Sequence, residues 1–250
     1  MSEHKTGMTS AGTPSTAATM TIEVVSDVVC PWCAVGVSSL MRAIEQLEGE
    51  VKPRIRFEPF ELNPTLGPGG ADIVDYLSRK YGSTPSQIEQ MHAKIAERGA
   101  SVGFAFSMDK RSRTYNTFDA HRLLHWAGEV DAGDGGDRQL TLKRALLSAH
   151  FTDGRDPGDH GLLIRLADAV GLDPNEAAVI LTGDAHAEAV REREQYWQEL
   201  GVNSVPAFII NDTHLIEGGQ PPEVFVAALR QIAAEGSGEP GSTQVTDLEI

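Results

Sequence analysis

Apart from one closely spaced pair, the 250-residue chain contains no cysteine. That scarcity excludes a disulfide-stapled secreted scaffold, which needs several pairs. Basic clusters are missing too: 21 lysines and arginines stand against 36 acidic residues, for a formal net charge of −15. With no positive patch to meet phosphates, nucleic acid is not an expected partner. No apolar run approaches the roughly 18 residues of a membrane span, so no membrane contact is expected. The first twenty residues, rich in Ser, Thr, Ala and Gly, carry no apolar stretch behind basic residues of the kind that directs secretion. Residues 1–20 therefore read as a disordered tail, and the protein as cytoplasmic. In a reducing compartment a lone cysteine pair is more readily catalytic than structural. The apolar content of 40% is ample for a core, and the length suits one large domain or a domain with a substantial insertion.

What is present is Cys30-Pro31-Trp32-Cys33. Upstream, Thr21-Ile22-Glu23-Val24-Val25 is β-branched and fits a strand. Downstream, Val37, Leu40, Met41, Ile44 and Leu47 recur at helical spacing. Pro31 suits the first helical position, where its missing N–H costs nothing. Cys30 is left at the helix entrance, where unpaired N–H groups and the positive end of the helix dipole favour a thiolate. Cys33 falls one turn further on, on the same side and deeper. This is the spacing of a nucleophile and a resolving thiol. Two rival readings are a zinc half-site and two inert core cysteines. Zinc needs two further ligands, and the only closely spaced imidazoles are His121 and His125.

Along the rest of the chain, Lys52–Glu58 alternates as a half-buried strand would, and Pro59 marks an edge or strand end. The turn-rich run Asn63–Gly70 is an organisational boundary. From Asp72 to about Gly183 the pattern is helical. Asp72, Thr84 with Gln87, Asn116–Asp119, and Asp173 with Glu176 supply helix caps, while Val102–Met108 reads as an extended segment packed on the helices. Asp184–Leu200 is a charged helix. Val205–Ile210 and His214–Glu217 form a hairpin about Asn211-Asp212, and a final helix carries Val224, Phe225, Ala228, Leu229 and Ile232. The reading is an α/β domain made of residues 21–66 and 184–235, interrupted by a helical insertion at 67–183 whose ends lie close together, with a loose tail at 236–250.

With Cys30-Pro31-Trp32-Cys33 after the first strand and Gly201-Val202-Asn203-Ser204-Val205-Pro206-Ala207-Phe208 before the hairpin, the chain resembles the DsbA family of thioredoxin-fold oxidoreductases. Within that family it is similar to the FrnE-like subfamily. Val25–Cys33, Phe60-Glu61-Leu62-Asn63-Pro64, Asn116–Leu123 and Gly218-Gly219-Gln220-Pro221 carry the likeness, which runs from about residue 21 to 233. The resemblance implies an α/β thioredoxin-like fold with an all-helical insertion over the active site, and a cis Val205–Pro206 peptide facing the cysteines. It implies that the Val205 backbone pairs with an extended substrate segment while Cys30 attacks. Pro206, Pro31 and Trp32 then line the substrate contact, Trp32 shaping the surface beside an exposed sulfur. Asp27 is a candidate relay for the proton that Cys33 must lose, or else a cap or surface charge. Asn116, His121 and Gln220 are supporting positions near the cleft.

The function these readings imply is thiol–disulfide exchange on protein or small-molecule substrates bearing a disulfide or thiol. The reversible Cys30–Cys33 disulfide is its only redox group; no metal or cofactor is required, and glutathione is a candidate reductant or co-substrate. Two alternatives stay open. One is a glutathione-dependent isomerase or transferase of the 2-hydroxychromene-2-carboxylate isomerase or kappa-class type, which shares the insertion but usually carries serine at the nucleophile position. The other is a chaperone-like binding module without turnover. Neither the direction of electron flow nor the oligomeric state is written in these residues.

Overall fold

The β-branched segment that precedes the cysteines forms the central strand of the molecule. In the computed structural model, which describes residues 17–236, β1 (Ala18–Ser26) pairs in parallel with β2 (Val51–Pro59) and antiparallel with β5 (Ala207–Ile210), which pairs with β6 (His214–Glu217). The sheet order is β2-β1-β5-β6. Pro53 and Pro59 are tolerated because β2 is an edge strand, where a missing N–H breaks no second ladder. Asn211 and Asp212 turn the β5–β6 hairpin with φ of 49° and 61°, the left-handed pair that a tight hairpin favours.

Alternation along β1 sorts the core into two faces. Met20, Ile22 and Val24 point to one side, where α1 (Pro31–Gln46) and α9 (Pro222–Gly236) bury Leu40, Leu47, Phe225 and Leu229 against them. Val25 points to the other side, beneath Trp197 of α8 (Ala187–Glu199). Gly36 in α1 lets the helix press onto β5: a Cβ there would stand 2.9 Å from the Phe208 ring and 3.0 Å from Pro206.

Between β2 and α8 lie β3 (Ala71–Asp72), α2 (Ile73–Tyr81), α3 (Pro85–Ser101), β4 (Arg113–Thr114), α4 (Phe118–Asp134), α5 (Arg138–Phe151), α6 (His160–Ala169) and α7 (Pro174–Thr182). The caps at Asp72, Thr84 and Asp173 form, with Gln87 completing a capping box. This segment shares its core with the sheet domain: Leu147 and Phe151 of α5 pack with Ile22 and Phe57, while Val28 and Val29, from the loop before the cysteines, pack among Leu123, Leu142 and Leu163. The chain that leads into it and the helix α8 that follows it are joined by ion pairing of Glu61 with Arg191.

Several expectations need correcting. The strand starts at Ala18, and Met20 is buried, so residues 18–20 belong to the sheet; residues 1–16 of the proposed N-terminal tail, like the C-terminal tail beyond residue 236, lie outside the described residues. The insertion is not all-helical, because β3 and β4 pair. Arg113 donates to the carbonyls of Gly69 and Gly70 there. Gly70, at φ +64°, comes so close to Thr114 that a Cβ would lie 1.9 Å from its carbonyl oxygen, a contact that only glycine permits. The cap read at Asn116–Asp119 does form, through Asn116, which accepts from the Phe118 N–H, while the N-cap residue Thr117 makes no such bond. The strand β5 begins at Ala207, because Pro206 cannot donate to the ladder.

Candidate active site

Cys30 is the N-cap residue of α1 and Pro31 is its first helical residue. Cys30 adopts an extended backbone and its carbonyl accepts from the Cys33 N–H at 3.1 Å. Across from the pair, the Val205–Pro206 peptide is cis, and the Cys30 thiol donates to the Val205 carbonyl at 3.6 Å. Both cysteines are free thiols. Cys33 is fully buried and Cys30 is only 4% exposed. The nucleophilic edge is therefore more covered than the helix-entrance position alone implied, and only a small part of Cys30 is open to the approach of a substrate sulfur. Trp32 borders that approach at 39% exposure, and the 218–220 turn lies against it; a Cβ on Gly219 would touch the Trp32 ring at 3.0 Å.

The two thiols are electrostatically unequal. The Cys30 thiol is pulled below its ordinary value by the Cys33 thiol and by the N–H groups of Cys33 and Trp32, against burial and the charge of Asp27. Burial and the negative charge of Cys30 push Cys33 well above its ordinary value. Of the two sulfurs, Cys30 is thus the more readily ionised and Cys33 the one that holds its proton more tightly.

Beneath the pair sits a buried set of charges. Asp27 is fully buried and accepts from the Leu62 N–H at 2.8 Å and the Val29 N–H at 3.4 Å. His121 Nε2 stands 3.5 Å from Asp27 Oδ1, too long for a strong charge-assisted hydrogen bond but close enough for attraction, and no other partner meets that nitrogen. Burial opposes ionisation of Asp27, yet His121, the Leu62 N–H and Lys143 outweigh it and hold the carboxyl below its ordinary value. Lys143, also fully buried, donates to the Ser26 carbonyl at 3.2 Å. Burial lowers its pKa, countered by Cys33, Asp27 and Cys30. Arg111 donates to the Val29 carbonyl at 3.4 Å and to His150 Nε2 at 3.2 Å. Burial brings it down to about 10, opposed by attraction to Cys30, so it stays cationic at neutral pH beside the nucleophile.

Of the positions read from the sequence, Cys30, Cys33, Asp27, Val205, Pro206, Pro31 and Trp32 come together, with His121 joining through Asp27. Asn116 does not reach the thiols: its amide donates to Glu61 and to the Pro64 carbonyl, tying the start of α4 to the chain after β2. Gln220 donates to the Glu217 carbonyl within its own turn. Lys143, His150 and Arg111 went unread. For α5 a signal existed, since Gln139, Lys143 and His150 recur at helical spacing along one face; that face is buried, whereas Leu140 and Ala145 are only partly so. Arg111 lies in an irregular segment with no periodicity to mark it.

The His150 environment has a pH consequence. Its Nε2 accepts from Arg111 and its Nδ1 faces the Arg155 carbonyl at 3.2 Å, a pairing that requires the neutral ring with the proton on Nδ1. Burial and Arg111 lower its pKa from 6.5 to about 3. Between those values the unfolded chain binds a proton that the native protein refuses. The stability is therefore complete above pH 6.5 and declines on acidification, by about 1.4 kcal/mol per pH unit. Urea unfolding at pH 7 and pH 5 should show a loss of about 2 kcal/mol from this group, and His150→Gln should remove that part of the slope.

Among the described residues, no helix is long and apolar enough to cross a membrane. The DSBA-like thioredoxin domain matches residues 21–230. A Bacillus subtilis protein, YwbO, itself uncharacterized, is 29% identical over 212 residues, covering 84% of this chain and 96% of its own. The crystal structure of a "probable DsbA oxidoreductase" of Streptomyces coelicolor is similar with a TM-score of 0.77 and 31% identity, covering 92% of this chain and 95% of that one. The cytosolic disulfide reductase DsbM of Pseudomonas aeruginosa, solved with GSH, shares the fold at a TM-score of 0.58 and 19% identity, over 85% of this chain and 98% of its own. Residues 21–230, carrying both cysteines and the cis-proline that faces them, place this chain in the DSBA-like thioredoxin domain family.

Proposed function

We propose that this protein is a dithiol–disulfide oxidoreductase. The observation that carries the reading is the split between the two thiols, Cys30 lowered and Cys33 raised, at a helix N-terminus opposite a cis-proline. In the reducing direction the Cys30 thiolate attacks one sulfur of a substrate disulfide. The substrate S–S bond breaks, a Cys30–substrate disulfide forms, and the other substrate sulfur leaves as a thiolate. Cys33 loses its proton and attacks Cys30, releasing the second substrate thiol and leaving Cys30–Cys33 oxidised. The substrate gains two electrons and the protein loses two; the oxidising direction is the reverse.

Among the described residues no hydrogen bond engages the Val205 N–H, which supports docking of an extended substrate segment along that backbone, with Pro206, Pro31 and Trp32 as its walls. Asp27 is a carboxylate below the pair and serves as proton acceptor for Cys33. The cytosolic relative solved with GSH supports a cytoplasmic setting and glutathione as the reductant or co-substrate. The motif segments around residues 25–33, 60–64, 116–123 and 218–221 support a finer assignment to the FrnE-like subfamily.

The test is reduction of insulin disulfides by the protein with excess thiol, compared with Cys30→Ser. The intact pair should turn over, and the variant should fall to the rate of the thiol alone. Equal rates for the two proteins would end the proposal.

A further inference from the structure

We infer that His125, Glu129 and His186 form a binding site for a divalent transition ion of the zinc class, outside the thiol site. The sequence shows no such site, because His125 and Glu129 lie on α4 whereas His186 lies more than fifty residues later, at the N-cap of α8. The fold brings one donor atom from each to within 4.8 Å of the others.

The three side chains converge without closing a short ion pair. His125 Nε2 lies 3.3 Å from Glu129 Oε1, and His186 Nδ1 lies 3.5 Å from Glu129 Oε2. A charge-assisted N–H to carboxylate hydrogen bond closes to about 2.7–2.9 Å, so neither contact is a good one. Metal–ligand bonds of about 2.0–2.2 Å in a tetrahedral site put neighbouring donor atoms about 3.3–3.6 Å apart; here the two rings face different Glu129 oxygens and the three donors lie within 4.8 Å of one another, so they would draw closer around an ion. Two imidazoles and one carboxylate are a donor set of zinc and its first-row neighbours, whereas calcium and magnesium take oxygen.

Helix capping does not explain the placement of His186. N-cap positions favour Ser, Thr, Asp or Asn, whose side chains accept from the first turn, yet His186 makes no such bond. Its φ of 61° is a left-handed conformation, uncommon for a residue with a side chain. That backbone turns the ring toward α4, where its centroid is 5.7 Å from that of His125. The segment before His186 is already fixed to α4, because Arg122 donates to the carbonyls of Ile180, Gly183 and Ala185. His125 and His186 are each about one-fifth exposed and Glu129 about half. One side is open for ion entry and for a water as fourth ligand. Occupied, the site would pin the start of α8, the helix that covers the sheet, to the central helix of the insertion.

The test uses tag-free full-length protein with Cys30 and Cys33 oxidised to their disulfide, so that thiolates cannot contribute ligands. Calorimetric titration with zinc should show one equivalent bound, cobalt should give a tetrahedral visible spectrum, and Tm should rise with zinc concentration. His186→Ala and His125→Ala should each weaken binding at least about 10-fold, the lower end of what even loss of an outer-shell partner costs. Glu129→Gln, an exposed substitution that leaves packing intact, should weaken it as well, whereas His160→Ala should not, and calcium should not compete. Absence of stoichiometric zinc binding at micromolar concentrations, or affinity unchanged by Glu129→Gln and His186→Ala, would overturn the inference.

Discussion

Cys33→Ser protein mixed with a disulfide substrate accumulates as a covalent Cys30 adduct, and its multiple-turnover rate falls by at least about 100-fold. The magnitude follows from what Cys33 supplies. A resolving thiol one helical turn from Cys30 reacts intramolecularly, and well-oriented groups of that kind reach effective molarities on the order of 10⁵ M or more. An external thiol at millimolar concentration cannot match that. Burial makes the effect clean: Cys33 is fully enclosed and Cys30 retains a 4% exposed edge, so substrate meets only Cys30. Nonreducing gels and intact mass would show a one-to-one adduct that free thiol reverses slowly. Rapid release of substrate from Cys33→Ser, or an adduct on Cys33 in Cys30→Ser, would contradict the assigned order.

Asp27→Ala should cost about 3–5 kcal/mol of stability, the range for removing one member of a buried charge group. Asp27→Asn should cost less, because an amide oxygen still accepts from the Leu62 and Val29 N–H groups. The alanine variant strands both donors and takes away the carboxylate near Lys143. A double substitution, Asp27→Ala with Lys143→Met, should therefore lose less than the sum of its parts. Additive losses would show that the two charges do not interact. The pH dependence has a fixed sign. Because the Asp27 carboxyl sits below its ordinary 3.8 in the folded protein, its contribution is complete above that value and is lost as pH falls through the folded pKa. Asp27→Asn should lack that acid limb. If Asp27 also takes the proton from Cys33, the asparagine variant will accumulate the mixed disulfide while remaining folded, a readout that stability alone does not move.

How much of this was legible in the residues depends on the range of the interaction. The β-branched run in β1, the apolar spacing of α1, and Pro31 behind Cys30 are local signals, and they located the thiol pair at a helix start. Caps at Asp72, Thr84 and Asp173 were readable for the same reason: donor and acceptor lie within four residues. The relation of Val205–Pro206 to Cys30 spans 175 residues; local pattern did not predict it, and only likeness to a family did. The partners of Asn116, Glu61 and the Pro64 carbonyl, lie on another segment, so local pattern did not show what it holds.

The sequence by itself therefore determined where the reactive sulfurs are, which one heads the helix, and that an α/β sheet domain is interrupted by a mostly helical segment. Tertiary structure alone decided their electrostatic setting. Lys143, Arg111 and His150 are ordinary polar residues until burial removes water from them and makes each depend on a partner distant in sequence. It likewise decided that Val28 and Val29 anchor the motif loop in the insertion's core, and that His186 meets His125 and Glu129. Periodicity records which face of an element is apolar, but not which other element will cover it, and the charges that tune these thiols come from those other elements.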